Sequence, residues 1–78
     1  MVTPEDIEGW IRNGLAETTV SVTGDGAHFE AIIINAAFEG KSLIQRHQMV
    51  YGALGDKMKA EIHALSMKTL TPAEHGNQ

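Results

Sequence analysis

The chain contains no cysteine, so it can form no disulfide and offers no thiolate to a metal. Any soft-metal chemistry of its own must run through imidazoles, and there are four, at positions 28, 47, 63 and 75. A thiol-free chain fits a reducing compartment or a surface selected against oxidation. Aromatic residues are also scarce: one Trp, one Tyr and two Phe. The core must therefore be aliphatic, built from Ile, Leu, Val, Ala and Met. No apolar run approaches the roughly 18 residues of a membrane span. The first residues are acidic where a signal peptide is basic. These absences lead us to expect a cytoplasmic protein with no membrane attachment.

At 78 residues the chain has room for one domain, 1–78, of a size that buries only about 60% of the unfolded surface. The net charge of −4 is unevenly distributed. Through Glu39, seven acids face Arg12 alone; from Lys41 onward, five bases stand against three acids. An acidic total argues against tight, salt-dependent nucleic-acid binding, while the basic second half leaves weak binding or an acidic protein partner open.

Thr3-Pro4-Glu5-Asp6 reads as a helix start, with Thr as N-cap, Pro at the first helical position and acids at the positive end of the dipole. Ile7, Trp10, Ile11 and Leu15 follow at helical spacing, so the helix is expected to stop near Ala16. Residues 18–23 alternate as a half-buried strand, and Asp25-Gly26 is the dipeptide of a type I′ hairpin turn. Closing the turn there pairs Thr23 with His28, Val22 with Phe29 and Val20 with Ala31. Val20, Val22, Phe29, Ala31 and Ile33 then share one face, and His28 looks away from the core.

Ser42-Leu43-Ile44-Gln45 has the form of a capping box. A long helix is expected after it, with Leu43, Ile44, His47, Val50, Tyr51, Leu54 and Met58 as its apolar stripe and Gly52 and Gly55 opposite. Ile62–Thr69 reads as a third strand with His63 at its start. Thr71-Pro72-Ala73-Glu74 repeats the helix-start signal. The order helix, strand, strand, helix, strand predicts an α+β fold with a three-stranded mixed sheet packed with helices. The connection through the long helix makes the strands it joins parallel. If those strands are neighbours, His28 and His63 meet at one end of the sheet.

Two imidazoles are too few for a closed metal site, but they match the histidine half of a two-iron, two-sulfur centre in which thiolates hold the other iron. His47 reads as a structural histidine under the sheet, and His75 as a solvated one. Arg46, Ala53 and Lys57 share a flank of the long helix with an exposed Met49 nearby, a candidate docking patch. Ser42 is explained as a cap and Asp25 by turn chemistry. Neither a Ser-His-acid spacing nor a phosphate loop is present, so an enzyme reading is poor.

The run Phe38-Glu39-Gly40-Lys41-Ser42-Leu43-Ile44-Gln45-Arg46-His47-Gln48-Met49-Val50-Tyr51, followed by Ile62–Thr69 and Thr71-Pro72-Ala73-Glu74, resembles the BolA family. Gly24-Asp25-Gly26-Ala27-His28-Phe29 is similar to its IbaG-like bacterial branch. The resemblance implies an αββαβ(α) fold similar to class II K-homology domains. It also implies a partnership with a monothiol glutaredoxin around a shared 2Fe-2S cluster, in iron–sulfur trafficking or sensing. Glutaredoxin and glutathione would supply the thiolates.

The family's strand-three ligand matches His63. Its second ligand falls by spacing on Asp25, with His28 the nearest imidazole. Founding members are also described as DNA-binding regulators of morphology and stress, which makes Lys41, Arg46, Lys57 and Lys59 the alternative, nucleic-acid-binding set. Gly52-Ala53-Leu54-Gly55 formally reads as the GXXG of a K-homology loop, though inside the expected helix. A weak homodimer is a further expectation.

Overall fold

A computed structural model describes residues 2–77. They form α1 (Pro4–Gly14), β1 (Thr19–Gly24), β2 (His28–Ile34), a 3₁₀ turn (Ala36–Phe38), α2 (Leu43–Leu54), α3 (Lys57–Ala60), β3 (Ala64–Leu70) and α4 (Pro72–Gly76). The sheet order is β1-β2-β3, antiparallel between the first pair and parallel between the second. The expected α+β architecture with a mixed three-stranded sheet is therefore present.

Local chemistry starts each of the main helices. Thr3, Ser42 and Thr71 all form reciprocal capping boxes, with Asp6, Gln45 and Glu74 returning the hydrogen bond. Each box satisfies two amide donors that the helix itself cannot. The core then assembles on one face of the sheet. Val20, Val22, Phe29, Ala31 and Ile33 meet Ile7 and Ile11 of α1 and Val50 and Leu54 of α2. Burying an aliphatic or phenyl side chain of this kind contributes about 1.5–3 kcal/mol.

The hairpin register differs from expectation by two residues. Val22 pairs with Ala31, Val20 with Ile33 and Gly24 with Phe29, so the turn is centred on Gly26-Ala27 rather than Asp25-Gly26. The Asp25 side chain accepts from the amides of Ala27 and His28, both at 2.9 Å. Positive φ falls on Gly26 and not on Ala27, the requirement of a type II′ turn. A shift of two preserves side-chain parity, so the expected core face is retained.

The long helix also differs. It ends at Leu54, because Gly55 takes a left-handed φ of 57°, and the chain restarts as the short α3. Val50 and Leu54 are buried, with Met49 packed against the core beside them. Leu43, Ile44 and Tyr51, expected in the same stripe, are 63%, 71% and 42% exposed. Ile44 and Tyr51 lie roughly a quarter turn or more round the helix from Val50, and Leu43 is in the first turn, outside the core cluster. Ile62 and His63 precede β3 rather than open it.

Helices α1 and α2 approach closely at Gly14, where an added Cβ would fall 2.5 Å from the Ala53 Cβ. Gly14→Ala is therefore expected to force the helices apart at a cost of about 1–3 kcal/mol. Gly9→Ala meets nothing within 4 Å and should instead gain about 0.5–1 kcal/mol. Urea unfolding of the two variants beside the parent checks both signs.

Candidate functional site

The parallel ladder of β2 and β3 sets the geometry of one sheet corner. His28, the first residue of β2, pairs with Ala64, the first of β3, and the Ala64 amide donates to the Ala27 carbonyl at 3.2 Å. His63 sits one residue earlier, in a bend. Both histidines are exposed, and they occupy adjoining strand ends at the hairpin end of the sheet. Among the described residues no three His, Cys, Asp or Glu side chains gather as a metal cluster. The donors this corner offers are two imidazoles.

Asp25 lies beside them in the turn, with its Oδ1 already engaged by two amides. Those bonds, first from His28 and then from Ala27, hold its carboxyl below the usual range. It acts here as the acceptor that shapes the hairpin. His47 lies half-buried on α2 with its Nε2 buried and unpartnered, away from the corner. His75 is exposed on α4.

The proposed docking flank is divided. Arg46 is only 12% exposed at its side chain and is committed within the chain. Its Nε donates to the Lys41 carbonyl, and one guanidinium nitrogen to the Thr69 carbonyl, both at 3.1 Å. It grips the Glu74 carboxylate with both terminal nitrogens, at 2.6 and 3.2 Å. Lys57 lies beyond the Gly55 break, with its Nζ 4.9 Å from the centre of the Trp10 ring, a cation–π contact. The break in the helix corrects the expectation that Arg46, Ala53 and Lys57 share one flank of a single long helix. Met49, expected to be exposed, is half-buried against the core.

The alternative basic set is divided by the same break. Lys41 and Arg46 stand at the start of α2, and Lys57 and Lys59 beyond its end. The GXXG sequence forms the last turn of α2 rather than a loop between structured elements.

Two further arrangements had no clear sequence signal. Glu8 of α1 accepts from the Val22 amide at 2.9 Å, while Arg12 reaches the Val20 carbonyl at 3.5 Å. Together they cover the outer edge of β1. Asn35 donates to Ala16 and Thr18 and accepts from Ala37, tying the α1–β1 loop to the end of β2. The charged pair is legible as an i,i+4 helix pair, but its strand target is not.

The BolA-like protein family model matches residues 11–74. The chain belongs to the BolA family. This BolA protein is 40% identical over 70 residues to acid stress protein IbaG of Escherichia coli (strain K12), a match covering 88% of this chain and 83% of the relative. The structure of a bolA protein homologue from Coxiella burnetii superposes with a TM-score of 0.92 at 52% identity, covering 97% of this chain and 99% of that one. SufE-like protein 1 of Arabidopsis thaliana is 45% identical over 62 residues. That match takes in 78% of this chain and only 17% of the longer plant protein.

The Arg46–Glu74 contact gives the BolA chain a measurable pH response. Arg46, and after it the Thr71 amide, holds the Glu74 carboxyl down to about 2. A depressed folded-state value means that the pair's contribution is complete above the ordinary 4.5 and is lost as pH falls toward 2. Carbon-13 titration should place the Glu74 midpoint at about 2 in the parent and well above it in Arg46→Ala. Arg46→Ala should also melt earlier at neutral pH, with the gap to the parent narrowing in acid.

Proposed function

We propose that this BolA chain is an iron–sulfur adaptor that shares a two-iron, two-sulfur cluster with a monothiol glutaredoxin. The single observation that carries the reading is an exposed imidazole, His63, at a sheet corner beside a second, His28, in a chain without cysteine. The relative named SufE-like protein 1 supports an iron–sulfur-related role for this kind of domain.

The fit is one of donor chemistry. Neutral imidazole is a good ligand for iron, a carboxylate already engaged in a turn is a poor one, and the softer thiolates must come from elsewhere. His63 donates to one iron, and His28 is the second donor in preference to Asp25. The glutaredoxin cysteine and glutathione hold the other iron. The cluster is cargo that passes through or is sensed at this corner. The chain's own part is to offer the two histidines from adjoining chain segments, brought next to each other by the His28–Ala64 register, and to leave the corner open to a partner. Parallel pairing holds the histidine backbones in place before any cluster arrives, which reduces the ordering cost of binding.

The test is to mix the protein with cluster-loaded glutaredoxin and follow the visible absorption and circular dichroism. The parent should change the spectrum, and His63→Ala should abolish the change while keeping its far-ultraviolet spectrum, because the exposed side chain supports no core contact. His28→Ala should weaken the change and Asp25→Asn should leave most of it. An unchanged response from His63→Ala removes that residue as a ligand and the proposal with it.

A further inference from the structure

The exposed side of α2 presents an arrangement that the fold itself does not use. Ile44 is 71% exposed and Tyr51 42% exposed, and both lie on the side that carries exposed Gln48 and Gly52. An added Cβ at Gly52 would meet nothing within 4 Å, so no internal contact requires glycine there, although glycine weakens a helix interior. Gly55 is different, because its positive φ ends the helix. The face therefore combines two large apolar side chains, a notch with no internal occupant and no charge.

We propose that this face is a self-association surface on which two copies pack α2 against α2, antiparallel, across a two-fold axis near Gln48. The pattern is self-complementary. Ile44 and Gly52 are each four residues from Gln48, so an antiparallel pair seats Ile44 of each copy in the Gly52 notch of the other. The same pairing brings Lys41, just before α2, to the opposite copy's helix C-terminus and to its Asp56. Both residues are exposed, and a cation is favoured at that end of a helix dipole. A two-fold interface needs this reciprocity, which an unrelated partner does not require. With 12 residues, α2 is about 18 Å long. Two such helices cover less than the roughly 1,000 Å² of a stable interface, so association is weak and concentration-dependent.

The experiment is a dilution series of the full chain from roughly 10 µM to 1 mM, a range suited to an interface of that size. It is followed by sedimentation velocity and by amide chemical shifts. Dimer should accumulate at the top of the series, with shift changes centred on residues 44–52. Ile44→Glu and Gly52→Lys should each weaken association at least tenfold without unfolding the chain. The double variant should recover it, because residue 44 of one copy then faces residue 52 of the other with opposite charge. A monomer throughout, or shift changes confined to another face, overturns the proposal. So does failure of the double variant to recover association, or a response on α2 that only added glutaredoxin produces.

Discussion

The arrangement depends on the parallel pairing of β2 with β3. Parallel strands cannot be joined by a tight turn and need a crossover long enough to return along the sheet. Here α2 and α3 provide it. The ladder is pinned at both ends: the Ala64 amide donates to Ala27, and the Asn35 amide donates to the Leu70 carbonyl at 3.0 Å. Slipping β3 by one residue would turn Leu65 and Met67, which pack against the core, toward the opposite face. Burial thus enforces a register that also places His63 beside the start of β2. The candidate site therefore inherits its precision from a hydrophobic constraint on the strand behind it.

A three-stranded sheet has two edges, and an unpaired strand edge invites association. The structure covers them by different means. Glu8 and Arg12 reach from α1 to the outer backbone of β1. Arg46 takes the Thr69 carbonyl near the end of β3 while also anchoring α4 through Glu74. One guanidinium thus joins α2, β3 and α4. The planar fork of arginine suits such a task, because each nitrogen can address a different acceptor. The Phe38 ring lies 5.9 Å from the same guanidinium, so the clamp rests on the core.

The two sides of α2 show how a helix divides its work. Val50 and Leu54 bind it to α1 and the sheet, whereas Ile44 and Tyr51 contribute nothing to the core. Apolar periodicity marked all four alike, since a hydrophobic pattern records which faces avoid water and not what covers them. The width of the buried arc depends on how closely α1 approaches, and that is set by Gly14 against Ala53, 39 positions apart. Such distances are outside the reach of a local pattern.

Sequence alone determined the helix starts, since a capping box needs only residues three apart, and Thr3, Ser42 and Thr71 were each legible for that reason. It also determined which strand residues face the core, because alternation survives a register error of two, and it made imidazole the chain's soft-metal donor by excluding cysteine. The family was legible in contiguous runs. Only the tertiary structure decided the hairpin register, which depended on whether the Asp25 side chain capped the following amides or entered the turn. It likewise decided the end of α2 at Gly55, the internal commitment of Arg46 to Glu74, and the pairing of His28 with Ala64, which sets His63 one residue before the ladder. Each of these is a choice among locally similar alternatives, and long-range packing and hydrogen bonding make the choice.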